Sequence, residues 1–190
     1  CTDTKQHHSD TLRIAYVGSM VRIKGVHVLL RAFLQTARAR NLSLDLYGRL
    51  DVAPSYARYL RLLAAPDVRI RFRGPFAPEQ RQRIYDGIDV LVVPSLAQET
   101  FSFVAREALQ RGKAVIASSV GALSEVIRPG INGWLVTPGS VKELADVLKR
   151  IADRPSAVRE VSGASTTPTM SVREHVMRLG AIYSDAQAGA

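Results

Sequence analysis

The 190 residues carry 26 Lys and Arg against 17 Asp and Glu, a formal charge of +9, with 46% hydrophobic and 23% charged residues. That composition suits a globular domain with a substantial core and excludes an intrinsically disordered chain. No apolar run reaches the roughly 18 residues of a membrane span, and no cationic-then-apolar leader opens the chain, so a soluble, cytoplasmic domain is expected. The chain begins with Cys1 rather than Met, which reads as a processed or excised piece. Cys1 is the only cysteine, so an internal disulfide and a cysteine metal cluster are excluded. The positive surplus suits a phosphorylated small molecule, or peripheral contact with the anionic cytoplasmic face of a membrane. Its dispersal along the chain, with no interleaved aromatic ladder, argues against nucleic acid as a partner.

Residues 1–11 are polar and read as a flexible lead-in or interdomain linker. A strand is expected at 12–17, then a helix over 25–39 whose stripe is Val28, Leu29, Ala32 and Phe33. A strand at 42–47 and a helix at 55–64 follow. The segment 68–72, "VRIRF", alternates: Val68, Ile70 and Phe72 are expected to face the core and Arg69, Arg71 and Arg73 to face outward, as near a sheet edge. A helix at 78–85, a strand at 90–93, a helix at 103–111, a strand at 114–117 and a helix at 122–127 come next. A short strand at 134–136 precedes a helix over 141–152 striped by Leu144, Val147, Leu148 and Ile151. Nearly continuous apolar strands alternating with amphipathic helices predict an α/β fold, a mostly parallel sheet covered on both faces. The tail, with Pro155, Pro168 and the Ser and Thr between them, reads as leaving the sheet before a last helix near 172–183. The expected domain is 12–165, with 166–190 packing toward another domain.

Neither G-x-G-x-x-G nor a Walker A pattern occurs, which argues against an oxidoreductase or P-loop enzyme. Three segments carry chemistry instead. In "PSLAQETFSFVAREALQRGKAVIAS", Glu99 sits in a loop, Ser102 stands where it could cap the next helix, and Glu107 lies in that helix among Ala105, Ala108 and Leu109. The first-turn amides of such a helix have no intrahelical partner and can take phosphate oxygens. Glu107 in that setting needs a donor; a ligand hydroxyl and a surface salt bridge both fit. In "VGSMVRIKG", Gly18, Lys24 and Gly25 suit a diphosphate, while Arg22 and Lys24 equally fit solvated loop charges. In "SSVGALSEVIRPGINGWLV", Gly121 precedes a short helix and Gly130 and Gly133 read as turn formers. The four histidines, His7, His8, His27 and His175, have no metal-ligand spacing, and no metal site is expected; His27 reads as packing or surface.

Together and in this order, the E-x7-E pair inside P-S-x-x-E-x-F…E-A-x-x-x-G-x-x-V-I-A, the glycines and Lys24 resemble the C-terminal domain of the retaining GT-B glycosyltransferases, over residues 12 to about 186. That family includes bacterial polysaccharide, lipopolysaccharide and mannolipid transferases. The resemblance implies two Rossmann-like domains facing a cleft, an N-terminal one for the acceptor and this C-terminal one for a UDP-, GDP- or ADP-sugar. It further implies retaining transfer without a bound metal or other cofactor, the leaving phosphate helping to deprotonate the acceptor. By position, Lys24 resembles the residue that contacts the donor diphosphate and acts in the transfer. Glu99 resembles the carboxylate beside the transferred sugar, orienting it rather than serving as acid or nucleophile, and Glu107 the one on the ribose. The amides from Thr100 and Phe101 through Ser102 and Phe103 resemble the phosphate-binding helix start, Arg73 and Gly74 the wall beside the base, and Gly18 and Gly121 the glycines of the site.

Three departures stand out. Ser19 replaces an Arg of the family pattern, Ser102 a Gly, and Gly121–Ala122 a glycine pair. Ser19 lacks the planar, multi-donor clamp of an Arg, and Arg22 in the same loop is a candidate substitute. A nucleotide-sugar epimerase, a sugar-phosphate-dependent phosphorylase, and a degenerate binding module without catalysis are the rival functions. The isolated chain is expected to hold donor without completing transfer.

Overall fold

The computed structural model describes residues 11–163 together with Val176 and Met177. Six strands, β1 (Leu12–Val17), β2 (Leu42–Tyr47), β3 (Ile70–Gly74), β4 (Val90–Val93), β5 (Ala114–Ser118) and β6 (Gly133–Val136), form one sheet. Its order is β3-β2-β1-β4-β5-β6 and every pair is parallel. Between residues 11 and 163, seven α-helices connect and flank it: α1 (Val26–Leu34), α2 (Pro54–Ala64), α3 (Arg81–Asp86), α4 (Phe103–Gln110), α5 (Ala122–Val126), α6 (Val141–Asp153) and α7 (Ser156–Gly163).

Period-two alternation explains the two-sided cover. Leu12, Ile14 and Tyr16 of β1 join Leu42, Leu44 and Leu46 of β2 in a core completed by α1, α2, α6 and α7. Ala15 and Val17 join Leu91 and Val93 on the other face, beneath α3, α4 and α5. With both faces covered, β4 and β5 are buried at every position. The helix starts are locally encoded. Pro54 opens α2, and Ser140 accepts from the Glu143 amide at 3.2 Å to cap α6. The order reverses direction between β1 and β4, so the loops leaving their carboxyl ends flank a crevice, the usual ligand position in open parallel sheets.

The α/β expectation holds, with corrections at its margins. The first helix ends at Leu34 rather than 39, the remainder forming turns, and the 78–85 helix divides into a 3-10 turn at Pro78–Gln80 and α3. The edge strand begins at Ile70, and Val68 is 93% exposed rather than in the core. Arg69, expected outward, is pinned instead. It donates to Asp67 at 2.6 Å and to the Thr36 carbonyl at 3.1 Å, and its guanidinium lies 4.7 Å from the centre of the Phe33 ring. Residues just past Pro155 do not leave the sheet: α7 buries Val158 and Val161 in the first core. Gly133 is a strand residue paired with Val115, and a Cβ there would lie 2.0 Å from the Val115 carbonyl oxygen, so the close pairing needs glycine. The lead-in over 1–10, Pro168 and nearly all of the helix expected over 172–183 lie outside the described residues.

The Arg69–Asp67 pair is 16% and 11% exposed, shielded enough to matter. Arg69→Met should lower unfolding free energy by about 2–3 kcal/mol at pH 7 in urea melts, because Asp67 and the Thr36 and Ala39 carbonyls lose their donor. The Arg69 hydrogen bond, opposed by burial, holds the Asp67 carboxyl below its ordinary value. A depressed folded pKa contributes stability above the unfolded value of about 3.9 and loses it as pH falls through the folded one. The gap between variant and unaltered chain should therefore narrow below about pH 4. A gap independent of pH would contradict this account.

Candidate functional site

Past β1 the chain is fastened within a few residues. The Tyr16 hydroxyl donates to the Ser19 carbonyl at 2.8 Å, and buried Met20 donates its amide to the Arg49 carbonyl at 3.2 Å. Burial first, then the neighbouring Tyr56 and Glu99, pushes the Tyr16 phenol pKa up, so this hydroxyl stays a donor. A 3-10 turn, Arg22–Lys24, then delivers the chain to Gly25, whose φ is +68°. A Cβ at Gly25 would lie 1.8 Å from the Pro94 carbonyl oxygen, so only glycine lets the loop after β1 lie on the loop after β4. The Leu96 amide ties the two loops by donating to the Ile23 carbonyl at 2.8 Å.

This contact brings Lys24 to Glu99. Lys24 Nζ donates to Glu99 Oε1 at 2.7 Å, and Ser95 Oγ donates to the same oxygen at 2.5 Å. The loop after β5 holds the Glu99 backbone: the Ala122 amide donates to its carbonyl at 2.7 Å, and a Cβ at Gly121 would meet that oxygen at 2.3 Å. A cavity of about 250 Å³ opens here, lined by Tyr16, Gly18, Lys24, Ser95, Glu99 and the stretch from Thr100 to Val104. α4 begins at this cavity. Its Arg106 amide donates to the Ser102 carbonyl, and the amides of the turn before it have no intrahelical acceptor. Phe101 and Phe103 lie 4.8 Å apart between ring centres, and Arg106 braces them from 4.2 Å over Phe101 while donating to its carbonyl at 3.0 Å.

The structure thus gathers Gly18, Lys24, Glu99, Thr100, Phe101, Ser102 and Phe103 at one cavity, with Gly121 against its backbone. Ser19, Arg22, Arg73, Gly74 and Glu107 do not line it. Arg22 is exposed, and its charge acts on His27, whose pKa is lowered first by burial and then by Arg22 and Arg31. His27 packs edge-on to Tyr56, 5.8 Å between ring centres. Glu107 accepts from Arg81 at 2.9 Å, which realises the salt-bridge alternative in this state. Arg73 shares Asp45 with Arg71 and borders a second depression of about 390 Å³ with Tyr47, Phe76, Gln80 and Arg83. A larger depression of about 530 Å³, between 35–39 and the end of α6, gathers no comparable chemistry and lies toward the amino edge of the sheet. Among the described residues no group of three His, Cys, Asp or Glu gathers to hold a metal ion, and no helix is long and apolar enough to cross a membrane.

Sequence reasoning missed Ser95, Tyr16 and Arg81. Ser95 sits in the quoted Pro-Ser pair four residues before Glu99, where nothing in its spacing marks it. It also placed Ser102 where it could cap α4, and that capping bond is absent. Ser102 stands at the N-cap of α4 with φ +53°, the only non-glycine at positive φ among the described residues, and its buried Oγ has no hydrogen-bond partner. With the backbone left-handed at this position, the capping bond does not form. Both features are destabilising. Ser102→Gly should raise stability by about 1–2 kcal/mol and the midpoint of thermal unfolding by about 3–6 °C. Unchanged or lower stability in a calorimetric scan would contradict that strain.

The family described as glycosyl transferases group 1 matches residues 11–154. The D-inositol 3-phosphate glycosyltransferase of Corynebacterium aurimucosum is 33% identical over 147 residues, covering 74% of this chain and 34% of that protein. The sucrose-phosphate synthase structure from Thermosynechococcus elongatus superimposes with a TM-score of 0.82 at 27% identity, over 96% of this chain and 47% of that one. The C-terminal domain of a group 1 glycosyl transferase from Francisella tularensis gives a TM-score of 0.70 at 25% identity, over 81% of this chain and 82% of that one. The chain spans less than half the length of the curated relatives named or the synthase. By the extent of the family match and the site it encloses, this chain belongs to the glycosyl transferases of group 1, as a Rossmann-like GT-B domain.

Proposed function

We propose that this chain is the donor-binding, C-terminal half of a two-domain transferase that moves a hexose from a nucleoside-diphosphate sugar to a glycan or lipid-linked acceptor with retention. The observation that carries this reading is the meeting of Lys24, Glu99 and the start of α4 at one cavity in the crevice between β1 and β4. Its likeness to an excised C-terminal domain over 82% of that chain supports the assignment to the second half. Coverage of only 34% of a curated relative's own length leaves room in that protein for a second domain.

In this reading the first-turn amides of α4 and the Lys24 ammonium receive the diphosphate, placing positive potential where charge grows as the bond to the sugar breaks. Glu99 orients the sugar through its hydroxyls. Glu107 takes the ribose, and the depression walled by Arg73, Tyr47 and Phe76 takes the base. Gly18 and Gly121 let backbone approach the ligand closely. The acceptor hydroxyl must be held against the anomeric carbon by the other half of the cleft, because positioning of that kind needs a second wall. One observation favours a rival: with Ser19 in place of an Arg and Lys24 already committed to Glu99, a binding module without catalysis also fits.

Calorimetric titration of the chain with UDP, GDP and ADP, beside uridine, guanosine and adenosine, separates these. Lys24→Ala should weaken the best-bound nucleoside diphosphate by about 1.5–3 kcal/mol and leave its nucleoside nearly unaffected. Equal losses for both would make Lys24 structural. Absence of binding for every nucleotide would overturn the donor-binding reading and leave a degenerate module, whereas binding without transfer in the full-length protein would mark a binding module without catalysis.

A further inference from the structure

Glu99 uses its two oxygens unequally. Oε1 accepts from both Lys24 and Ser95, at 2.7 and 2.5 Å, whereas Oε2 takes no hydrogen bond from any described residue. The two donors also differ in kind. The Lys24 side chain is 37% exposed, on a flexible stem whose ammonium carries three donors. Ser95 is 1% exposed and follows Pro94, whose carbonyl is wedged against Gly25. Burial and a short stem confine its hydroxyl.

An anion entering the cavity competes for Lys24, the movable partner. Ser95 then remains as the fixed donor to Oε1. We propose that Ser95 is a positioning residue. It holds the Glu99 carboxylate by one oxygen so that the other stays available to ligand hydroxyls, and it keeps that orientation when Lys24 turns to the diphosphate. This rests on the donor-binding reading above, and extends it to a residue that acts through Glu99. Without the Ser95 hydroxyl, Glu99 follows the Lys24 ammonium and loses its set orientation.

The test uses UDP with UDP-glucose, GDP with GDP-mannose and ADP with ADP-glucose, taking the pair that the unaltered chain binds most tightly. Ser95→Ala should weaken the nucleotide sugar about fivefold to twentyfold while leaving the nucleoside diphosphate within about twofold. Ser95→Thr, which keeps the hydroxyl, should restore most of the loss. Glu99→Ala should show the same selectivity, and Ser95→Ala combined with Glu99→Ala should lose no more than Glu99→Ala alone. This cycle, read with thermal melts, does not depend on Ser95→Thr folding normally. Additive losses, equal losses on both ligands, or no loss would overturn the positioning role alone. An unaltered chain that binds no nucleoside diphosphate would overturn the donor reading and this role with it.

Discussion

The site depends on one backbone approach, that of Gly25 to the Pro94 carbonyl. Any side chain at 25 would place its Cβ 1.8 Å from that oxygen, so the loop leaving β1 could no longer lie on the loop leaving β4. The sheet makes the approach available, because β1 and β4 are parallel neighbours and their loops leave the same edge. The glycine makes it close. Lys24, Ser95 and Glu99 belong to segments some seventy residues apart, yet the close approach of the two loops brings them together. Gly121 repeats the device from β5, bringing a third loop against Glu99.

Close approach has an electrostatic consequence. Each carboxylate of the E-x7-E pair already has its cation, Glu99 with Lys24 and Glu107 with Arg81. Ligand oxygens and hydroxyls must exchange with these partners rather than meet bare charges. Affinity is then a difference between two well-made sets of contacts, and geometry that survives the exchange matters more than the number of charges nearby. The fixed parts, the α4 amides and Ser95, are those that need not move. Ser102 is the exception: its strained backbone and orphaned hydroxyl sit at the start of α4, where a glycine would carry neither feature.

Periodic features of the fold were legible in the sequence, and singular ones were not. Leu12, Ile14 and Tyr16 against Ala15 and Val17 announce a strand covered on both faces, and alternating arginines announce the edge strand. The same alternation runs on through Val68, so it cannot mark where pairing starts; the register begins at Ile70 with Leu44. α7 hid behind Pro155 and its serines, although a proline suits the start of a helix and Val158 and Val161 carry the helical spacing. Lys24, Glu99 and the α4 start were found through a motif whose residues must be near one another to work. Ser95 was passed over because a lone serine after a proline has no period, and its role emerges only where β4 ends beneath Glu99. Ser102 was a candidate cap by position, and the backbone angle at which that bond does not form belongs to the loop as a whole.

The central claim is that a phosphorylated nucleotide enters the crevice between β1 and β4. Amide chemical-shift mapping during titration with UDP, GDP and ADP tests it most directly. The account predicts that resonances of Gly18, Lys24, Gly25 and residues 100–104 shift together and saturate at one dissociation constant. Those of Thr36, Ala39 and Lys149, around the depression at the amino edge, should stay in place. Shifts confined to the amino edge, or none anywhere at millimolar nucleotide, would contradict it.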